Sequence, residues 1–186
     1  MNLFLRLKHW QLFILVMGPI AIFQIVSFSS IMASGTPDTI FTIFPLMMAI
    51  FLSLFFGWFY ALGVNLFQKL PEDSSMNLPR FKLFVIIPLI YMLFICFFIA
   101  GIFNNSGIQA TVNPGIIFII LPVHLFSMFC MFYCLYFIAK SLKSVELQKE
   151  VTVSDYLGDF FLIWFFPIGI WVIQPRVNKI FDDSDR

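Results

Sequence analysis

Charge is scarce in this sequence. Of its 186 residues only 11% are Asp, Glu, Lys or Arg, against about 25% in an ordinary soluble domain. A water-soluble core inside a charged shell is therefore excluded. The charges that exist nearly cancel, at a net +1, and no basic stripe is left over to neutralise phosphates, so nucleic acid is not an expected partner. Histidine is limited to His9 and His124, too few for a metal centre of three or more imidazoles. Cysteine is limited to Cys96, Cys130 and Cys134, all inside apolar runs, whereas a disulfide framework would place them in the loops of an exported domain. The His-Glu-x-x-His, Walker A, Gly-x-Ser-x-Gly and dinucleotide-binding patterns are missing. So are internal repeats, low-complexity linkers and lipidation signals.

What the chain does have is apolar length. Hydrophobic residues make up 61% of it, including 27 phenylalanines that a small aqueous core would struggle to bury. Four runs, about 10–32, 40–67, 83–103 and 116–139, contain no Asp, Glu, Lys or Arg. About 20 apolar residues at 1.5 Å each cross a hydrocarbon core of about 30 Å. In lipid the backbone must satisfy its own hydrogen bonds, which makes each run a helix. Arg6 and Lys8 before the first run resemble the start of a signal peptide. That run is long, however, and its nearest small-x-small site, Ser27-Phe28-Ser29, is not a clean one, so it is read as a retained span.

The loops divide by charge. The first, 33–39, holds Asp38 and no base, and the third, 104–114, holds neither sign. Arg6, Lys8, Lys69, Arg80, Lys82, Lys140, Lys143 and Lys149 all fall at the opposite end. The positive-inside rule then puts the N-terminus and the end of the fourth span in the cytoplasm. The helix of the fourth span is expected to continue into the cytoplasm, with residues 140–150 amphipathic through Leu142, Val145 and Leu147 and Glu146 and Glu150 a mildly unfavourable pair. Ser154 is the expected N-cap of the next segment, with Asp155 favourable in its first turn.

That segment, about 156–174, is apolar but short. Phe160 to Ile173 is broken by Phe166-Pro167-Ile168-Gly169, and runs of about 10–14 residues read as re-entrant or interfacial pieces more often than as spans. A dip into the cytoplasmic leaflet also keeps Arg176, Lys179 and Arg186 inside with the other bases. The expected fold class is thus all-α integral membrane, a single domain over 1–186. It has four transmembrane helices plus a C-terminal re-entrant or interfacial helical segment, with N-terminus and C-terminus cytoplasmic.

The tail Asp159-Phe-Phe-Leu-Ile-Trp-Phe-Phe-Pro-Ile-Gly-Ile-Trp-Val-Ile-Gln-Pro-Arg-Val-Asn178 resembles a stretch found in small uncharacterised bacterial membrane proteins. The resemblance implies a bacterial inner-membrane location and no activity. Tyr156-Leu157-Gly158-Asp159 is also similar to the Gly-Leu-Gly-Asp motif of presenilin-type intramembrane aspartic proteases. That chemistry needs two carboxylates sharing a proton, and no span supplies the second.

A few polar residues sit where lipid makes them costly. His124, Ser127, Cys130 and Cys134 step by three or four residues along one face of the fourth span. One reading is a soft-metal or proton-handling stripe. The plainer reading is small-residue packing, with His124 neutral and bonded to a backbone carbonyl or to Gln24 of the first span. Asp159, the one acid in an apolar context, is expected to form an interfacial ion pair with Arg176. No catalytic, cofactor-binding or metal-binding residue is assigned, and the cofactor is left open.

The expected function is a non-enzymatic accessory, scaffold or regulatory subunit acting through helix–helix contacts. Its partners are the lipid bilayer and further copies or other membrane proteins. The alternatives are a small oligomeric channel or transporter component and a membrane enzyme using a lipid or quinone.

Overall fold

The computed structural model describes residues 3–34, 38–72, 74–106 and 114–182. The centres of the first and third loops, 35–37 and 107–113, lie outside them, as does Arg186. Among the described residues there are seven helices: α1 (Leu3–Arg6), α2 (His9–Ser34), α3 (Asp38–Phe67), α4 (Leu78–Ser106), α5 (Pro114–Leu147), α6 (Val153–Trp164) and α7 (Phe166–Asp182). Within α2 to α5, four stretches are long and apolar enough to cross a membrane: His9–Ala33, Ile40–Phe67, Leu78–Ile102 and Phe118–Leu147.

Three boundaries differ from the sequence expectation. The third span begins at Leu78 rather than 83, because Pro79 fits a first helical turn, where its missing N–H has no partner to lose. Asn77 closes that end by accepting the Arg80 N–H at 2.9 Å. Residues 140–147 continue α5, as expected, with Ser141, Leu142, Ser144 and Val145 buried there, but the helix ends short of the expected 150. α5 stops at Leu147, after which Gln148 takes a positive φ of 49°. Finally, the cap of α6 is Thr152, not Ser154. The Asp155 carboxylate accepts both the Thr152 N–H and its hydroxyl at 2.8 Å, so a first-turn acid closes the helix start.

Consecutive long helices run antiparallel. Phe23 of α2 meets Phe44 of α3, and on α4 and α5 the pairs Phe81–Phe137, Phe84–Tyr133 and Tyr91–His124 run in opposite order. The start of α2, the end of α3, the start of α4 and the end of α5 therefore share one end of the bundle. α6 and α7 form a helical hairpin that also starts and finishes there. α6 runs back along α5, with Tyr156 beside Tyr136 and Trp164 on Phe132 at 4.7 Å. The chain reverses at Phe165, one residue before the expected break. α7 then descends beside α3, with Phe166 on Phe55 at 4.9 Å and Lys69 donating to the Ile180 carbonyl at 2.7 Å.

Gly169 permits this reversal, since a Cβ there would lie 1.8 Å from the Leu162 carbonyl oxygen. A side chain of any size would push α6 and α7 apart.

Packing is uneven along the bundle. Trp58, Phe59, Leu62, Leu66, Phe81, Phe137, Ile138, Leu142, Ile173 and Val177 form a closed core at the end that holds the bases. Toward the other end, no described side chain of α2 after Val16 is fully buried, and the described side chains in the first turns of α5 are exposed or half-buried, with Phe118 at 81%. Lipid is as apolar as these side chains, so leaving them uncovered costs little in a bilayer. Stability there rests on close packing and polar contacts rather than on burial itself.

Candidate functional site

Two polar constellations stand out, one in the closed half and one at the margin of the open half. The first is built by the hairpin. Arg176, on α7, reaches both carboxylates that face it. Its Nε and Nη2 donate to Glu146 of α5 at 2.6 and 2.7 Å, and its Nη1 and Nη2 donate to Asp159 of α6, the latter at 2.9 Å. One planar guanidinium thus ties three helices by paired, charge-assisted bonds. These bonds, with Asp159 first and Glu146 second, hold the Arg176 pKa above its usual value against the opposing pull of burial. Asp159 is 6% exposed, a burial that an unpaired carboxylate would not tolerate.

Two residues to either side of Arg176 the same helix binds the N-terminal segment. Gln174 is fully buried; its Oε1 accepts the Trp58 indole N–H at 3.1 Å, and its Nε2 donates to the Phe4 and Leu7 carbonyls at 2.8 and 3.0 Å. Asn178 donates to the Leu5 and Leu7 carbonyls at 3.2 Å. These carbonyls lie where α1 ends and the chain turns into α2, so they lack helical partners. α7 supplies them.

The second constellation surrounds His124. Its Nδ1 lies 3.1 Å from the Tyr91 hydroxyl on α4, so its partner is neither Gln24 nor a backbone carbonyl. The ring is exposed toward the open half, whereas Ser127, Cys130 and Cys134 further along the same face are buried. His124 and Ser127 line a cavity of about 280 Å³ between α3, α4, α5 and the hairpin tip, otherwise walled by Phe, Met, Leu, Ile and Trp side chains. Gln24 lies elsewhere, in a small pocket between α2 and α3 with Phe44 and Met48. All three cysteines are free thiols, and among the described residues no three His, Cys, Asp or Glu side chains converge as a metal would require.

Sequence reasoning singled out Asp159, Arg176 and His124 but not Glu146, Gln174, Trp58 or Tyr91. Gln174 carries one faint signal, a carboxamide between Ile173 and Pro175 at the edge of an apolar run. Glu146 reads in the sequence only as half of an unfavourable pair with Glu150.

Four helices of bilayer length with apolar surfaces define a multi-pass membrane class and fit a lipid environment. Compared with known proteins, the chain matches no family model, and no curated protein or solved structure is significantly similar to it.

Proposed function

We propose that this protein is a non-enzymatic accessory or scaffold subunit of a bacterial inner membrane, acting through helix–helix contacts. The observation that carries the reading is how the polar side chains are used. Arg176, Glu146, Asp159, Gln174 and Asn178 are all engaged in joining α7 to α1, α3, α5 and α6. A rigid base built this way holds the outer halves of α2 and α5 in fixed positions, with Ile22, Ile25, Phe28, Phe118 and Ile119 uncovered. In lipid such faces bind other spans by fit, not by hydrophobic drive. The topology belongs to the same proposal. Both termini lie in the cytoplasm, and the α6–α7 hairpin dips into the cytoplasmic leaflet and returns. It is supported by the gathering of basic residues at one end and by a hairpin whose two ends share that side. The bacterial location rests on the resemblance of the tail.

The test is the native mass of the complex purified in mild detergent, with bound proteins identified in the same spectrum. A defined hetero-complex is expected. A chain that runs alone, or only as a homo-oligomer that conducts ions in liposomes, would overturn the reading; the latter would favour a pore. Topology is read separately from single cysteines placed in a cysteine-free background. Labelling at position 150 and at position 184 from the cytoplasmic side only is expected, and labelling of either from outside would refute the dip.

A further inference from the structure

The cavity beside His124 is lined by a chemistry that packing alone does not explain. An imidazole facing lipid is costly, and neighbouring positions on α5 carry Phe, Leu or Met. Tyr91 satisfies only one ring nitrogen. A neutral imidazole has one donor and one acceptor nitrogen, so when the Tyr91 hydroxyl donates to Nδ1 the proton sits on Nε2. The pair then presents an N–H donor at the cavity wall. Ser127, 2% exposed and lining the same cavity, adds a hydroxyl.

We propose that this cavity binds a neutral, carbonyl-bearing membrane amphiphile, with the carbonyl accepting from His124 Nε2 and the apolar body lying against the hairpin tip. Three features select that class. Among the described residues that line it there is no Asp, Glu, Lys or Arg, so a phosphate or an ionised carboxylate would be buried unpaired. Phe55, Phe59, Phe132 and Trp164 offer flat walls, and Met92, Met128 and Met131 adapt to irregular shapes. The volume of about 280 Å³ lies at the small end of ligand pockets, enough for a head and the first part of a chain. The remainder has an exit, because Met128 and Trp164 on the rim are exposed. Ring quinones and glyceride esters share the required carbonyl. The site goes beyond the accessory-subunit reading and does not depend on it.

The full-length chain, purified in dodecyl maltoside, is titrated with decylubiquinone while tryptophan fluorescence is followed, because quinone rings quench indoles on contact. Saturable quenching is expected, and Trp164→Phe removes its saturable part. His124→Leu weakens the apparent affinity by about tenfold, the size of one good hydrogen bond to a carbonyl. Tyr91→Phe, which frees the imidazole to rotate and change tautomer, weakens it by a smaller factor and serves where His124→Leu does not fold. Dioleoylglycerol separates the two sources. Displacement of the quinone by it assigns the site to glyceride esters, and failure to displace assigns it to ring quinones. Linear, non-saturable quenching would overturn the proposal. So would saturable quenching unchanged by His124→Leu and Tyr91→Phe, or displacement by phosphatidylglycerol at the same concentration as dioleoylglycerol.

Discussion

Replacing Arg176 by Met keeps most of the side-chain volume while deleting the charge that joins α5, α6 and α7. At an effective dielectric constant of about 20, opposite unit charges about 4 Å apart attract by about 4 kcal/mol. Arg176 faces two such partners, and desolvation of all three groups offsets much of the gain. The loss on substitution is larger than the net worth of the cluster, because Asp159 is left buried with no counter-ion and Glu146 keeps only the longer pairing with Lys143, at 3.7 Å. Breaking a fully buried pair costs about 3–5 kcal/mol. With Arg176 and Glu146 each about a quarter exposed (side chains 26% and 22%), solvent screening brings the expected loss to about 2–4 kcal/mol. The assay is unfolding in mixed dodecyl maltoside–SDS micelles, read by tryptophan fluorescence. Arg176→Lys, which keeps the charge but cannot form two paired contacts, should fall between the variant and the parent. The pH dependence supplies a second readout. In the parent the raised Arg176 pKa gives a contribution that is complete below the unfolded arginine value and is lost only above it, far outside the working range. The stability of the parent should therefore not change through this group between about pH 5 and about pH 8. An Arg176→Met protein as stable as the parent, or an Arg176→Lys protein no more stable than Arg176→Met, would refute the clamp.

Gly169→Ala should lower folded yield sharply, because its Cβ would sit 1.8 Å from the Leu162 carbonyl; Gly158→Ala on the opposite arm of the hairpin meets nothing within 4 Å and should be neutral or stabilising by up to about 1 kcal/mol. Equal effects of the two substitutions on yield and melting would contradict the close crossing. Gln174→Leu strands the Trp58 indole and the Phe4 carbonyl and leaves the Leu7 carbonyl only its bond from Asn178; it should cost about 1–2 kcal/mol, with limited proteolysis showing earlier cleavage near Leu7. The Asp155 carboxyl is held below its ordinary range by the Thr152 N–H and hydroxyl. Its contribution is therefore present above the unfolded carboxylate pKa and lost as pH falls through the lower folded value, and hydrogen exchange at the start of α6 should accelerate only in that acid window, and at every pH in Asp155→Asn.

The sequence is most legible where a property is local. Uncharged runs of bilayer length mark α2 to α5, and Pro167 with Gly169 marks a break, because length and backbone freedom are written into consecutive residues. Boundaries fail where the rule that ends a helix is not the rule that ends an apolar run. α4 starts before Arg80 and Lys82, since charged side chains at a bundle end reach solvent without interrupting the backbone ladder. The site is less legible. Asp159 is conspicuous as an acid among apolar residues, but nothing near Glu146 in sequence announces that it shares Arg176 from thirty positions away. Trp58 and Gln174 are 116 residues apart, and each alone reads as an interfacial residue. Tyr91 is a single phenol in an apolar span until α5 brings His124 to it.

These contacts divide the molecule by mechanism as well as by position. Polar bonds that span many residues hold the closed end, so its geometry is set by a few substitutable atoms and fails as a unit when one is removed. The open end is held by ring and methyl contacts such as Phe23 with Phe44, which lipid replaces at little cost. The hairpin tip belongs to both. Its two arms are fixed below by Arg176 and Gln174, while buried Ile163 forms the floor of the His124 cavity, with Trp164 at its rim. A change in the clamp therefore moves the cavity floor, and Arg176→Lys should alter decylubiquinone affinity without touching a lining residue. An affinity unchanged in a measurably destabilised Arg176→Lys protein would show that the hairpin tip is positioned by its contacts with α3 and α5 alone.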